Sequence, residues 1–400
     1  MKICVFSAHF GGGYGTGHSI KKEVDELISR GHEVLVVHSE KNIKSFVNKK
    51  IKYFYFQYSK IPFLGILILK KQLDRIFKEI TKDGIDIIYV QTLEFGLVNN
   101  NIFINYPLVY FARSTIMGVE KNKPREYWID AIRRKFIVPI LILLEKKCLL
   151  KSTAIVVKSD RMKNELNQLY KISFEKIRVI RGGLDLNDFR KKNEIKRKKI
   201  RKKLFVREND KLILFTGRIV PVKGLYYLLI AFARLIKVRD NIRLIIVGQS
   251  MMSRYSKLIR KVIRRYKIDD FIVFTGYASQ KEMYKYYNSC DIVVVPSTYE
   301  PFGMVNIQAV ALNKPLISTN IAGSIEVIKD YPSLIMIPPF DAKKIEEAMT
   351  KLLTTNRKAK LFNVKRLLQP MSWNEMVNNL EKLFISQVDD FSIDMVTKII

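Results

Sequence analysis

Four loop-like segments carry the side chains that could do chemistry, and two of them suit a phosphorylated ligand. Gly217-Arg218-Ile219-Val220-Pro221-Val222-Lys223-Gly224 joins an apolar strand pattern to a helical one. Arg218 offers a planar fork matched to two phosphate oxygens, and Lys223 a point charge on a flexible stem. A diphosphate would use both, although a solvated loop in a chain with 71 Lys and Arg reads the same way. The second segment runs from Val294 through Pro296, Glu300 and Gly303 to Gln308. A buried strand ends at Pro296 and a helix begins near Gly303, so the amides of Gly303, Met304 and Val305 are the free N–H groups of a helix start, where anions bind. Glu300 lies just outside that helix. A carboxylate beside a phosphate would repel it, so Glu300 suits neutral hydroxyls; complementing the helix dipole is the rival role. Gln308, about one turn inside, carries an amide that could reach a polyol.

The third segment, Gly11-Gly12-Gly13-Tyr14-Gly15-Thr16-Gly17, follows a strand and precedes a helix. No frame gives G-x-G-x-x-G, and the frame with P-loop spacing places His18 where the phosphate lysine belongs. A mobile glycine loop that lets a ligand approach the backbone is the better reading, with a structural turn as the alternative. In the fourth, Tyr110-Phe111-Ala112-Arg113-Ser114-Thr115 closes a strand, and Arg113 faces either a ligand or a surface acid.

The elements that would hold these loops alternate strand and helix. Buried-strand patterns at Ile3–Ser7, Glu33–Val37, Ile85–Val90, Leu108–Phe111 and Ala154–Val157 frame a helix at Ser19–Arg30 closed by Gly31. The rhythm restarts after Arg190–Arg207, a stretch with 11 Lys or Arg in 18 positions that reads as a solvated helix and linker. Strands follow at Leu212–Thr216, Arg243–Val247, Ile272–Phe274, Ile292–Val295 and Pro315–Ser318, with helices at Leu225–Ile236 and Met251–Tyr266. Two doubly wound parallel-sheet units in tandem are expected, with ligands at the carboxyl ends of the strands. A length of 400 residues fits two such units.

Charge and composition bound the partners. Lys plus Arg number 71 against 38 acids, a net charge of +33 spread over both halves of the chain, which favours anionic partners. An AT-rich genome would produce the same bias. Three scattered cysteines without a CxxC pair suggest neither a disulfide framework nor a zinc site. The apolar runs 61–69 and 136–144 are too short to cross a bilayer, and Met1–Ala8 lacks a secretory apolar stretch, so a cytosolic location is expected.

The motifs taken together resemble the retaining glycosyltransferases of family 4, which have the GT-B fold. Gly217-Arg218 with Lys223-Gly224, Phe274-Thr275-Gly276-Tyr277, Asp291 with Pro296-Ser297 and Glu300-Pro301-Phe302-Gly303, and Ala311 through Pro315 to Ala322-Gly323 and Glu326 occur in that family's order and spacing. The match is dense over about 210–340 and thinner over the first unit, through Gly11–Gly17, Gly31–Val34, Ser159 and Val179–Asp185.

The resemblance implies an α/β GT-B architecture, two Rossmann-like domains facing a cleft: an acceptor domain at 1–185, a nucleotide-sugar domain at 186–371, and a terminal helix at 372–400 crossing back to the first. It gives Arg218 and Lys223 the donor diphosphate, Glu300 the hydroxyls of the transferred sugar, and Gly303, Met304 and Val305 the sugar and phosphate. Tyr277 would meet the base through its backbone, while Gly12, Gly13, Gly217 and Gln308 complete the donor set. Glu300, Arg218 and Lys223 are the implied catalytic residues; Tyr14, His18 and Arg113 are candidates for the acceptor or cleft side. The expected reaction is a metal-independent hexosyl transfer with retention, through an oxocarbenium-like state whose leaving diphosphate is stabilised by cations and helix amides. The nucleotide sugar is a co-substrate, and no cofactor or metal is expected; no DxD triplet occurs.

Several positions depart from the family pattern, two of them at candidate site residues. Gln308 stands where a second glutamate is usual, exchanging a charge-assisted hydrogen bond for a neutral one, at a cost of about 1 kcal/mol. Arg113 stands where many members carry a histidine. Gly182-Gly183 and Asn313 replace the usual Asn-Gly and Gly, keeping residues that tolerate φ > 0. A glycan or lipid-linked acceptor is expected on the first unit. There Lys52–Lys60 interleaves lysine with aromatics, and Arg133-Arg134-Lys135 precedes the run 136–144, a composition suited to the inner face of an anionic membrane; the alternative is that 61–69 and 136–144 are ordinary core helices. The alternatives are a nucleic-acid-binding protein, for which no recognised motif appears, and a GT-B-like scaffold without transfer. A sugar-nucleotide epimerase would want cleft histidines, and all four lie at or before His38.

Overall fold

The computed structural model describes residues 1–11, 15–40, 48, 50–59, 64–124, 133–185, 194–249, 253–354 and 362–397. Its contacts divide the chain into two units: Met1–Met117, Asp130–Gly183 and Pro370–Ile400 form unit 1, and Gly118–Ile129 with Leu184–Gln369 form unit 2.

The first part of the chain runs β1 (Lys2–Phe6), α1 (Gly15–Ser29), β2 (Glu33–His38), β3 (Ile51–Tyr55), α2 (Leu64–Lys82), β4 (Ile87–Val90), α3 (Asn100–Asn105), β5 (Leu108–Phe111), α4 (Ile116–Lys121), α5 (Val138–Lys151), β6 (Ala154–Val157), α6 (Asp160–Tyr170) and β7 (Ile177–Val179). Seven strands pair in the order β3-β2-β1-β4-β5-β6-β7, every pair parallel. The central strands are runs such as Ile3-Cys4-Val5-Phe6, buried on both faces because helices cover both. One face packs against α2, α5 and α6 through Leu73, Phe77, Cys148 and Leu166. The other packs against α1 and the last helix, and there the discontinuity of unit 1 originates.

Next come α7 (Glu194–Lys203), β8 (Lys211–Thr216), α8 (Leu225–Leu235), β9 (Ile242–Val247), α9 (Ser253–Tyr266), β10 (Ile272–Gly276), α10 (Gln280–Ser289), β11 (Ile292–Val295), α11 (Met304–Ala311), β12 (Leu316–Thr319), α12 (Ile325–Ile328), β13 (Leu334–Ile337), α13 (Ala342–Thr354) and α14 (Val364–Leu368). Six parallel strands pair in the order β10-β9-β8-β11-β12-β13. The final helix, α15 (Trp373–Thr397), returns to α1 in unit 1. Arg30 and His32 both bond Glu381 at 2.8 Å. Gly182 and Gly183 hold φ of 131° and 94°, and a Cβ on Gly182 would meet Met376 at 2.7 Å, so α15 is seated directly on that backbone.

Three expectations from the sequence need correction. The helix placed at Ser19–Arg30 begins at Gly15, because Gly15 and Gly17 occupy a first turn that their low helix propensity disguises. The basic stretch is not wholly solvated: Arg201 is buried, donating to Ser289 O and Asp291 while Arg197 reaches the same carboxylate at 2.7 Å. Asp291 also accepts from Leu212 N at 2.7 Å, so it clamps α7 to the sheet. The interleaved Lys52–Tyr55 stretch is largely β3, an edge strand whose alternation is that of a half-exposed sheet.

Candidate functional site

In unit 2 the strand order reverses between β8 and β11, the switch point at which doubly wound sheets open a crevice beyond the strand ends. The loop after β8 carries Arg218 and Lys223, and the loop after β11 carries Glu300. The two loops are stapled together: Thr298 N donates to Val222 O at 2.8 Å, and a Cβ on Gly224, at φ 70°, would fall 1.9 Å from Pro296 O. The neighbouring strand ends close in the same way. Gly248 N bonds Gly276 O at 2.8 Å, and a Cβ on Gly248 would sit 1.9 Å from Gly217 O.

Lys223 Nζ donates to Glu300 Oε2 at 2.6 Å, and Ser297 Oγ donates to the same oxygen at 3.0 Å. Glu300 is 8% exposed and Lys223 20%, so the pair is sheltered yet reachable. Gly303 forms the N-cap of α11 in the left-handed region, at φ 99°, with a would-be Cβ 3.0 Å from Glu300 Cγ. The helix therefore starts directly beside the carboxylate, and the amides of Met304 and Val305 lie in its first turn, without intrahelical acceptors. The loop is braced from behind by Gly323 N to Glu300 O at 3.2 Å and Ser324 N to Phe302 O at 2.7 Å. Arg218 is exposed, and no ion pair engages it among the described residues. Gln308, on the next turn of α11, accepts the hydroxyl of Tyr287 at 3.0 Å, so one lone pair of its amide oxygen is already engaged. Tyr277 is half exposed, after Gly276 at φ 74°.

Sequence reasoning treated Lys223 and Glu300 as tools for different parts of a ligand; the structure joins them as an ion pair. It gave no role to Ser297, which orients the carboxylate, and missed Asn306, which sits fully buried behind it. Asn306 Nδ2 bonds Ser318 and Ser324 at 2.8 and 2.9 Å, while its Oδ1 has no hydrogen-bond partner among the described residues. A buried asparagine in an otherwise apolar helix segment was the available signal.

In unit 1, Gly12, Gly13 and Tyr14 lie outside the described residues. His18 is half-buried in the first turn of α1. Arg113, at the end of β5, is directed neither at an open ligand site alone nor at a surface acid: its guanidinium donates to Glu23 at 2.7 Å and to Gln91 at 2.8 Å, and stacks 4.3 Å from the Phe111 ring. Glu23 is fully buried and also accepts from Tyr89 OH and Gln91 Nε2. Glu23 and Gln91 were invisible as partners because they lie 90 and 22 residues from Arg113 in sequence. Lys158, one strand over, bonds Gly182 O at 3.0 Å, and burial, helped by the Arg113 charge, pushes its amine down to about 7.

Residues 196–364 match the family model for glycosyl transferases group 1, and residues 14–188 match that for glycosyltransferase family 4. The chain belongs to the family-4 glycosyltransferases. Both matches coincide with the two doubly wound sheets. Among curated relatives, an uncharacterized glycosyltransferase of Methanocaldococcus jannaschii is 30% identical over 51% of this chain, an alignment spanning about half (51%) of that relative's own length. The alpha-monoglucosyldiacylglycerol synthase of Streptococcus pneumoniae is 26% identical over 80% of this chain and 71% of its own. Among solved structures, the sucrose-phosphate synthase of Thermosynechococcus elongatus superposes with a TM-score of 0.80 at 19% identity, covering 96% of this chain and 98% of that one. Anabaena HepE in complex with UDP and glucose gives 0.75 at 19% identity, covering 96% and 100%. These likenesses establish the GT-B fold for this family-4 member.

Proposed function

We propose that this family-4 member transfers a hexosyl group from a nucleotide-diphosphate sugar to a glycan or lipid-linked acceptor, with retention of configuration and without a metal, at the cytoplasmic face of a membrane. The observation that carries the reading is the Lys223–Glu300 pair, set at the switch point beside the start of α11, with Arg218 exposed on the same loop as Lys223. An arriving diphosphate competes for Lys223 and engages the fork of Arg218, while Glu300, held by Ser297, accepts hydrogen bonds from the sugar hydroxyls. As the bond from the anomeric carbon to the diphosphate oxygen breaks, charge grows on the leaving group, where the two cations and the amides of Gly303, Met304 and Val305 stabilise it. Cationic side chains and a helix end thereby take the part that a divalent ion plays in other transferases. The acceptor class is supported by the relatives, one of which is named for synthesis of a glucosylated diacylglycerol. Arg113, His18 and Tyr14 are assigned to the acceptor side, and Gly12, Gly13, Gly217, Tyr277 and Gln308 to the donor.

The test is a panel of UDP-, GDP-, ADP- and dTDP-sugars incubated with the protein in EDTA, beside an Arg218→Ala plus Lys223→Ala variant. The expected result is slow hydrolysis of one donor, lost in the variant, releasing sugar whose first-formed anomer matches the donor by proton NMR. Absence of binding to every nucleotide sugar overturns the diphosphate assignment; hydrolysis that requires an added divalent ion overturns the metal-independent part.

A further inference from the structure

Helix α5 is apolar over most of its circumference, a composition ordinarily reserved for helices buried on every side, and the π-helical turn before it, Arg133–Ile137, ends in Phe136 and Ile137. Here only one side is buried. Val138, Glu145, Cys148 and Leu149 face the sheet, while Phe136, Leu143 and Leu150, at seven-residue spacing, face outward, with Leu143 67% and Phe136 52% exposed. The first half of α2 repeats the pattern: Leu69, Leu73 and Phe77 enter the core, and Leu64, Leu67 and Ile68 point away from it.

Both helices cover the same face of the sheet, and both pack against the turn Leu93–Leu97. Lys147 Nζ of α5 donates to Val98 O at 3.0 Å, and the next residue, Asn99, donates its N–H to Asp74 of α2 at 3.1 Å. The outward apolar side chains of α2 and α5 thus belong to the same face of the unit, and they are more numerous than the scattered ones normal for a soluble surface.

What surrounds these side chains selects the occupant. Lys70, Lys71 and Arg75 on α2 and Lys146 and Lys151 on α5 are exposed around them, and on these two helices only Asp74 and Glu79 oppose that charge at the surface. A second copy of this chain would bring like charges together. A bilayer rich in anionic headgroups takes both features at once, apolar side chains entering the acyl boundary and lysines meeting phosphate. Among the described residues no helix is long and apolar enough to cross a membrane, so the face lies on the lipid without spanning it.

We propose that the outward faces of α2 and α5 in unit 1, with Leu67, Phe136 and Leu143 as apolar anchors and the flanking lysines as headgroup contacts, form a docking surface for an anionic lipid bilayer. The inference rests on the membrane-located reading given above and supplies the surface for it.

Co-sedimentation of the full chain with vesicles of phosphatidylcholine alone, or with about 30 mol % phosphatidylglycerol, tests it. Binding to the anionic vesicles at least about tenfold tighter than to the neutral ones is expected, weakening as salt rises. Phe136→Glu plus Leu143→Glu should lower that binding by about tenfold or more, and Lys70→Gln plus Lys71→Gln plus Lys146→Gln should remove most of its salt dependence. These side chains face outward, so thermal unfolding should hold; if the glutamate variant fails to fold, Leu67→Gln plus Leu143→Gln replaces it. Equal binding to neutral vesicles, no vesicle binding, or a dimer that dissociates in the glutamate variant each overturns the proposal. Donor hydrolysis measured on the same samples separates the two readings: its absence with vesicle binding intact counts against transfer alone, and its presence without vesicle binding counts against the docking surface alone.

Discussion

Glu300 and Lys223 are separated by 77 residues yet hold one another at 2.6 Å, and that closeness was not legible in the sequence. Residue types and loop positions pointed to a diphosphate and a polyol, but spacing along the chain carries no information about which side chains meet across a strand switch. The pair predicts an asymmetry between its members. Glu300→Gln keeps the volume and the Ser297 contact but removes the charge, so donor turnover should fall by about a hundredfold or more with donor Kd changed far less. On the proposed role of Lys223 at the diphosphate, Lys223→Ala should weaken donor binding as well as turnover; single-turnover hydrolysis and calorimetric titration with the donor found in the panel separate the two effects. A second residue-scale case is Glu145, buried on α5, where Ile116 N donates to it at 2.9 Å and Tyr170 OH donates as well. Burial pushes its carboxyl up to about 7, against the lowering effect of those two donors. The folded state then binds more protons than the unfolded one between about pH 4.5 and 7, so stability falls as pH rises through that window. Glu145→Gln should abolish the fall, raising stability by a few kcal/mol (roughly 3) at pH 8 and little at pH 4.5, as read by urea unfolding of the two proteins.

At the scale of elements, the strands were legible to within a residue or two wherever they were uninterrupted apolar runs, as at β5, β6 and β11. Elements whose composition imitates something else were not. The edge strand β3 reads as a basic-aromatic surface because Lys52 alternates with Tyr53 and Phe54, and the first turn of α1 reads as loop because Gly15 and Gly17 stand in it. Helix α11 was legible from the Pro and Gly that punctuate it, yet the side-by-side approach of the β8 and β11 loops was not. Gly224 makes that approach testable. At φ 70° with Pro296 O in the path of any Cβ, Gly224→Ala incurs both backbone strain and a clash, and should destabilise the protein by about 3 kcal/mol. Gly276 has φ 74° and nothing within 4 Å of a Cβ, so Gly276→Ala should cost only about 1 kcal/mol. Equal losses of thermal stability in the two variants would remove the close approach as the reason for Gly224.

Across the whole molecule, the tandem of two doubly wound sheets followed from the repeated strand–helix rhythm, whereas the discontinuity of unit 1 rests on contacts between residues more than 340 apart. Arg30 bonds Glu381, and Val24 and Leu27 share a core with Met376, Val377, Leu380 and Phe384. These four residues of α15 are fully buried, and at about 2 kcal/mol each their burial is comparable to the entire stability of an ordinary domain. The core of unit 2 contains none of them. Truncation after Gln369 should therefore abolish the cooperative unfolding of unit 1 while leaving a separate transition from unit 2, visible as the loss of one of two calorimetric peaks. The milder Leu380→Ala plus Phe384→Ala variant should lower the first transition without moving the second. If both transitions fall together, the two sheets unfold as one cooperative body, and α15 then stabilises the molecule as a whole.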